Sequence, residues 1–462
     1  MSVVDFMNIM TQFDRDKPLL ERKRNLAYFS GKDAAINAAR QYAVGKPEID
    51  DDDLKKLAND IRDQVHGEYF LTQLIRQGIA YHIGYLPSSI RQRIERLFKD
   101  GKITAMFCTS TLIEGVNLPA DNLFITNYRS GRPPMTNVEF RNLIGRVGRI
   151  KFNLYGNVFF ISDGNAVKEK EFVELLREPI PEQRLSVVHD LKPKLKKHVV
   201  DTFLSGSSKI EPYNTKSQKQ SEEEYVMMMK FGLILLQDIM DDRDSLVRRE
   251  FAQYMPPNGE EIIRQKFEGQ RDFIDNDINI SADQTRRLAA AIRNGTHYPE
   301  VKDGKFSHAA VLGFLDELSG IFNWDKYEFK TLGKRNMNGE HAKLSWYAVI
   351  LSQWMEGHGL NYIMRQAINH MTEHSDRFWL NDYTPSYFEG TPEHKNIVFA
   401  DTLEVIENII LFSISNYFLC FYNMYKSIHG EHSLDDNNWY EFVEYGTTNE
   451  LTCILAKKWI LP

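Results

Sequence analysis

Between residues 24 and 163, short apolar runs alternate with amphipathic stretches, and this pattern constrains the fold more than any other feature. Apolar runs of strand length that alternate with helical patterns are typical of a parallel sheet flanked by helices. We therefore predict an α/β lobe with strands at 25–30, 79–82, 103–108, 122–126 and 157–161. The intervening helices are predicted at 32–42, 71–77, 88–99 and 138–143, with a polar helix after the acidic residues 48–53.

After about residue 184 the strand signals fade and helical periodicities dominate. The helices are predicted at 223–240, 282–293, 308–321, 344–355, 360–374 and 402–427. The Pro/Lys-rich segment 192–197 and the polar stretch 205–224 are typical of exposed connections. We predict a lead-in helix within 1–23, an α/β domain at 24–183, a linker at 184–222 and a mainly α-helical domain at 223–462.

Composition narrows the classes of function. The formal net charge of -7 excludes nucleic-acid binding through bulk positive charge, so any such binding depends on local patches. The three cysteines, Cys108, Cys420 and Cys453, fit neither a disulfide nor a metal-site spacing, which predicts a reducing cytoplasm and no metal site. The most apolar run, 409–422, is interrupted by polar residues and is too short to span a membrane.

Two stretches carry groups that suit phosphate chemistry. The first, 108–120, reads CTSTLIEGVNLPA and directly follows a predicted strand, so its hydroxyls and backbone amides can hold phosphate oxygens. The second is Gly145-Arg146-Val147-Gly148-Arg149, in which each arginine follows a glycine. Guanidinium groups match phosphate oxygens with forked donors, and in nucleotide hydrolases they serve as arginine fingers.

With these stretches, the sequence resembles the superkiller-like branch of the superfamily 2 DEAD/DEAH-box helicases. Residues 109–112 and 115–120 resemble motif V, 142–149 resemble motif VI, and 29–31 stand where motif IV would. The segments 66–71 and 78–87, with Arg91 and Glu95, are similar to the family segment before motif V. Asn142 replaces the usual glutamine of motif VI, and Ile83 replaces a common histidine. The resemblance implies a second RecA-like lobe, followed here by a helical region.

The resemblance also implies roles for individual residues. Thr109 and Thr111 are expected to contact the nucleic-acid backbone, with Ser30 and Arg91 as further candidates. Gly115 and Asn117 are expected to face the nucleotide or couple the two sites. Arg146 and Arg149 are expected to reach the ATP phosphates as catalytic groups. A purely structural alternative for Arg91 is a surface helix pair with Glu95, one turn away.

A complete helicase of this kind needs a G-x-x-x-x-G-K-[ST] loop, and no Gly-Lys pair in this chain has that context. We therefore expect ATP and Mg²⁺ to be bound mainly by a first RecA-like lobe absent from this chain, and no ATP hydrolysis by the chain alone. Because Ser30 lies so near Met1, we expect the C-terminal part of a split or truncated helicase gene, with the first lobe on a separate polypeptide.

The helical half resembles the region after the motor lobes more loosely, at 354–357, 360–364 and 444–447. Trp346, Trp354, Tyr362 and Arg365 are candidates for stacking bases and pairing with phosphates. Filling a core is the more common role for aromatic residues at helical spacing. His370 and His374 lie one turn apart but lack a third metal ligand nearby in sequence.

The leading hypothesis is the C-terminal part of an ATP-dependent helicase acting on single-stranded DNA or RNA. The alternatives are a non-catalytic nucleic-acid- or partner-binding module derived from a helicase, and a truncated inactive fragment. Loss of ATP turnover but not of strand binding in Arg146→Ala would favour the first. DNA against RNA, polarity, pathway and oligomeric state stay open, because contacts to the backbone carry no sequence information.

Overall fold

The structure is a computed structural model. It describes residues 2–14, 16–110, 118–129, 134–147, 156–161, 166–177, 190–214, 220, 222–268, 280, 282–374, 377–381, 384–435, 437–449 and 452–453. The chain divides into two compact units. Unit 1 comprises Met1–Glu182 and Gly359–Glu407, and unit 2 comprises Gln183–His358 and Asn408–Pro462.

Unit 1 contains a five-stranded sheet. Its strands are β1 (Asn25–Tyr28), β2 (Ile79–His82), β3 (Ala105–Cys108), β4 (Asn122–Ile125) and β5 (Asn157–Phe160). They lie in the order β2-β3-β1-β4-β5, and every neighbouring pair is parallel. Every residue of the first four strands is buried, as expected for a parallel sheet covered on both faces. The predicted α/β lobe is therefore confirmed.

Helices cover this sheet. They are α1 (Val3–Thr11), α2 (Lys32–Ala43), α3 (Asp52–Gln64), α4 (Phe70–Arg76), α5 (Ser88–Lys99), α6 (Asn137–Ile144) and α7 (Ala166–Arg177). Helix α5 shows how the pattern determines packing, because Ile90, Ile94 and Leu97 recur on one face and are all buried. Its other face carries the charged residues of the helix.

The amino ends of three strands are joined by a ladder of asparagine side chains. Asn122 Nδ2 donates to Asn25 Oδ1 at 2.9 Å, and Asn157 Nδ2 donates to Asn122 Oδ1 at 2.9 Å. Asn122 is 1% exposed, so its amide is satisfied by protein groups rather than by solvent. The ladder links β1, β4 and β5 at the edge of the sheet opposite to their carboxyl ends.

Unit 1 also includes a segment from late in the chain. Helices α16 (Leu360–His374) and α17 (Pro392–Glu404) bury Met364, Phe399 and Leu403 in the same core as the sheet. Asn396 accepts a hydrogen bond from the backbone N–H of Phe70 at 2.8 Å. The sequence pattern predicts this segment as part of the C-terminal helical domain, whereas the structure groups it with the lobe. Between α16 and α17 lies an antiparallel hairpin, β6 (Arg377–Asn381) and β7 (Thr384–Tyr387), that was not expected from the helical pattern of the sequence.

Unit 2 is built from helices, as predicted for the later part of the chain. They are α8 (Pro193–Leu204), α9 (Glu222–Met240), α10 (Leu246–Ala252), α11 (Gly259–Phe267), α12 (Ala282–Arg293), α13 (His308–Phe322), α14 (Trp324–Tyr327), α15 (Leu344–Met355), α18 (Ser415–His429) and α19 (Trp439–Tyr445). A π-helix, Val405–Ile414, precedes α18. Among the described residues, none of the helices is long and apolar enough to cross a lipid bilayer.

Helix α8 falls within the predicted linker. Pro193 stands in its first turn, where a proline costs no hydrogen bond, and Leu195, Val199 and Phe203 are buried. The lysines of this segment suggested an exposed connection, but its apolar residues recur with helical spacing. Because of this spacing, the segment forms a helix, α8, that packs into the core of unit 2.

A second feature of unit 2 is an aromatic cluster around Tyr298. The ring of Tyr298 stacks on Trp439 with centroids 5.6 Å apart, and its hydroxyl donates to the backbone O of Phe418 at 3.0 Å. Phe314 and Phe421 close the cluster with ring distances of 5.5 and 4.6 Å from Tyr298. The hydroxyl of this buried tyrosine is thus satisfied inside the core.

Candidate nucleic-acid interface

The carboxyl ends of the central strands bring two predicted hydroxyl residues to one edge of the sheet. Tyr28, His82 and Cys108 are in register across β1, β2 and β3, so Ser30 and Thr109 follow adjacent strands. The backbone N–H of Thr109 donates to the O of His82 at 3.3 Å, which extends the ladder beyond β3. Thr109 is buried and Ser30 is half-buried.

Arg91 lies in the first turn of α5, close to the end of β2. Its Nη1 donates to the backbone O of Gly84 at 3.2 Å. Glu95 instead contacts His82, with Glu95 Oε1 2.9 Å from His82 Nε2. Among the described residues there is no ion pair between Arg91 and Glu95. Arg91 is therefore held by its bond to Gly84 and not by the alternative of a surface helix pair with Glu95. Arg91 sits beside the same sheet edge as Ser30 and Thr109.

Arg146 follows α6 and is tied into the sheet through its backbone. Its carbonyl O accepts from the N–H of Ala120 at 3.2 Å, next to a parallel bridge between Ala120 and Val147. Only 6% of Arg146 is exposed. Burial raises the pKa of the Cys108 thiol, and the nearby Arg146 guanidinium acts in the opposite direction. The side chain of Arg146 is therefore buried, and its charge acts on the residue that precedes Thr109.

Four other predicted site residues cannot be placed. Thr111, Gly115 and Asn117 fall within residues 111–117, and Arg149 falls within 148–155, both outside the described residues. Their roles stay predictions. The described part of the site consists of Ser30, Arg91, Thr109 and Arg146.

Carboxylates from the late segment approach this edge. Glu404 Oε2 on α17 lies 2.5 Å from Lys32 Nζ, two residues beyond Ser30. Burial acts to lower the pKa of Lys32, but the carboxylates of Glu404, Asp401 and Asp33 outweigh it, so the pKa is raised. Burial raises the pKa of Glu407, and the Arg91 guanidinium opposes that shift.

Asp401, Glu404 and Glu407 thus form an acidic strip, spaced three residues apart, beside two cations of the sheet edge. Sequence reasoning missed both this strip and Lys32. Lys32 and Glu404 lie 372 residues apart in sequence, and no local pattern signals such a pair.

Comparisons with known proteins agree with the fold. Residues 58–151 match the helicase conserved C-terminal domain. Anti-bacteriophage protein B of Escherichia coli (strain K12) is 32% identical over 103 residues, which cover 22% of this chain and 14% of that protein. ATP-dependent DNA helicase Hel308 of Aeropyrum pernix is 36% identical over 97 residues, covering 20% of this chain and 13% of the relative.

A third relative is the helicase POLQ-like protein of Caenorhabditis elegans. It is 34% identical over 111 residues, which cover 24% of this chain and 12% of that protein. In all three relatives the matched segment is therefore a small part of a longer protein. The match to the helicase conserved C-terminal domain, residues 58–151, includes Arg91 and Thr109.

Proposed function

Because this chain contains the conserved C-terminal portion of a superfamily 2 helicase, we propose that it binds the backbone of single-stranded DNA or RNA as part of an ATP-dependent helicase. Within that superfamily we propose the superkiller-like branch. The first RecA-like lobe, which would hold ATP and Mg²⁺, is supplied by a separate polypeptide in this proposal.

The observation that carries the proposal is the convergence of donors at one sheet edge. Ser30 and Thr109 follow adjacent parallel strands, and Arg91 is held beside the end of the third. Hydroxyls, backbone amides and a guanidinium are the groups that proteins use to contact phosphate and sugar without reading the bases. A strand laid across the carboxyl ends of β1, β3 and β2 would meet these groups in turn.

The proposal assigns Arg146 and Arg149 to the ATP phosphates, and Gly115 and Asn117 to the coupling of the nucleotide with the strand. Bound ATP would supply the free energy of lobe closure. Only 6% of Arg146 is exposed in the chain alone, so contact with an ATP phosphate would require its guanidinium to become exposed when the first lobe closes.

That burial favours a second candidate function. A non-catalytic module derived from a helicase would keep the strand-binding edge and use Arg146 only to hold the fold. Strand binding is common to both candidates, whereas ATP hydrolysis with a partner lobe belongs to the first alone.

Strand binding is tested by fluorescence anisotropy with labelled oligothymidine and oligouridine and the full chain. We expect binding that weakens with salt, and at least about a tenfold loss of affinity in Thr109→Val, since a lost hydrogen bond to a charged group costs roughly 1.5–3 kcal/mol. The matched control is Thr126→Val, which follows β4 and whose hydroxyl donates internally to the O of Tyr28 at 2.7 Å. No binding of either oligonucleotide at low salt would contradict the proposal.

The ATP role is tested by phosphate release from ATP, with and without each oligonucleotide. We expect no turnover by the chain alone. Strand-stimulated turnover that Arg146→Ala abolishes would contradict the missing-lobe proposal, because it would require a nucleotide site within this chain.

A further inference from the structure

A cleft of about 630 Å³ lies in unit 1 where the end of α3 meets the start of α16. It is lined by Arg62, Asp63, His66, Gly67, Asn361 and Arg365. Asn361 Nδ2 donates to the backbone O of Arg62 at 3.2 Å and so fixes the two walls to each other. Of these lining residues, Arg62, Asp63 and Arg365 lie outside the segments that resemble a helicase, whereas His66, Gly67 and Asn361 lie within them.

The charges around the cleft leave one cation without a counterion. Arg62 holds Asp63 through Nε–Oδ1 at 2.9 Å, and Lys395 holds Glu68 at 2.8 Å. Arg365 has no ion pair with any described residue, yet it stands close enough to His66 to affect its protonation. Arg365 therefore provides the net positive charge of this site.

His66 offers a second donor. Its ring packs on Phe399 with centroids 4.6 Å apart, and its Nδ1 accepts from the backbone N–H of Glu68 at 3.1 Å. This arrangement places the proton of the neutral ring on Nε2, where it can donate to a ligand. Burial lowers the pKa of His66, and Arg365 and Lys395 lower it further against the opposing charge of Glu68.

An aromatic side chain stands next to the cleft. Tyr362 precedes Arg365 by three residues on α16 and is 42% exposed. Residues with this spacing are neighbours on a helix surface. An exposed aromatic ring beside a phosphate-binding cation is the arrangement that proteins use for single strands, since each unpaired base can stack.

We propose that this cleft binds one backbone phosphate of a single-stranded nucleic acid, with Arg365 and His66 Nε2 as donors and Tyr362 as the platform for an adjacent base. A phosphodiester carries one negative charge, which matches the single uncompensated cation. The inference rests on the proposed function, because it extends the strand-binding surface from the sheet edge to the late segment.

The first test is the salt dependence of oligothymidine and oligouridine binding to the full chain. Removing one phosphate contact from a single strand is expected to lower the slope of log K against log salt by about 0.7. We expect this change, with an affinity loss of roughly fivefold, in Arg365→Gln. The matched control is Arg96→Gln, which removes an exposed guanidinium whose charge acts on Asp53 near the start of α3. Equal slopes for wild type, Arg365→Gln and Arg96→Gln overturn the proposal.

The second test separates this cleft from the proposed function. The pH titration of the His66 ring is followed by NMR, with His66→Gln to assign the signal, before and after addition of inorganic phosphate. We expect phosphate to raise the pKa of His66 in the wild type and not in Arg365→Gln. If no strand binds but phosphate still raises this pKa, the proposed function fails and the cleft is a site for free phosphate. If phosphate leaves the pKa unchanged, the cleft proposal fails even if strands bind at the sheet edge.

Discussion

The two units use their polar and aromatic groups in opposite ways. In unit 1, parallel strands bring Ser30 and Thr109 to the end of a buried sheet, where groups can meet a ligand. In unit 2, a predicted base-stacking residue turns inward, since Trp354 Nε1 donates to the backbone O of Val443 at 2.8 Å. The ends of parallel strands in unit 1 therefore present side chains for binding, whereas the aromatic residues at helical spacing in unit 2 pack into a core.

The largest expected effect is on the free energy of unfolding, and it tests whether the aromatic residues of unit 2 form a packed core. Trp439 is fully buried against Tyr298, so Trp439→Ala should lower the free energy of unfolding by about 3–5 kcal/mol. Phe412→Ala is the control, because Phe412 is 68% exposed and its loss should change stability by at most about 0.5 kcal/mol. Urea unfolding measures both. A loss below about 1 kcal/mol in Trp439→Ala would break the comparison.

The next effect concerns the asparagine ladder at the amino ends of the strands. Asn122→Ala removes the donor to the buried Asn25 Oδ1 and the acceptor of the exposed Asn157 amide, and should cost about 2 kcal/mol. Asn157→Ala, at the exposed end of the ladder, should cost less. Oligonucleotide affinity should stay unchanged in both, because the ladder lies opposite to the proposed binding edge. A large affinity loss in Asn122→Ala would argue against that edge.

A smaller effect tests the acidic strip that Asp401, Glu404 and Glu407 form at the end of α17 and the start of the π-helix. Glu404→Gln removes a negative charge that pairs with Lys32 beside Ser30, so it should tighten oligonucleotide binding about threefold. Glu393→Gln is the matched control on the same helix, where the carboxylate pairs with Arg40. Anisotropy at fixed salt measures both. Weaker binding in Glu404→Gln would show that the ion pair supports the binding edge instead of competing with the strand.

The smallest effect is a pH dependence. The pKa of His66 is lowered from 6.5 in the folded chain, so the unfolded chain binds more protons between the two pKa values. Stability should therefore fall as the pH drops below about 6.5, and His66→Gln should remove roughly a few tenths of a kcal/mol of that loss. Urea unfolding at pH 5.5 and 7.5 measures the difference. An identical pH dependence in both proteins would contradict the assignment.

Much of the lobe could be predicted from sequence, because each strand is a short apolar run between amphipathic helices. The predicted strand at 79–82 and helix at 88–99 match β2 and α5 residue for residue. The proximity of Ser30 and Thr109 also follows from sequence, since the carboxyl ends of parallel strands share one edge.

The rest depends on contacts between distant parts of the chain. The apolar face of α16 or α17 shows that each helix packs against something, but not that its partner is the lobe. The cleft joins Arg62 to Asn361, 299 residues away, and no local signal specifies that pairing. The burial of Arg146 could not be predicted from sequence either, because a glycine-flanked arginine has the same sequence pattern whether it is exposed or buried.

Unit 1 is built from two separate stretches of the chain, so during translation it cannot be completed until the second stretch has been synthesised. The chain leaves the unit at Glu182 and supplies its last segment only at Gly359–Glu407. At about 5–20 residues per second, the first part waits roughly ten to forty-five seconds for α16 and α17 to be synthesised. During that interval the core surface later covered by Met364, Phe399 and Leu403 stays open to chaperones. A fragment cut at the end of the helicase match would remain in that unfinished state.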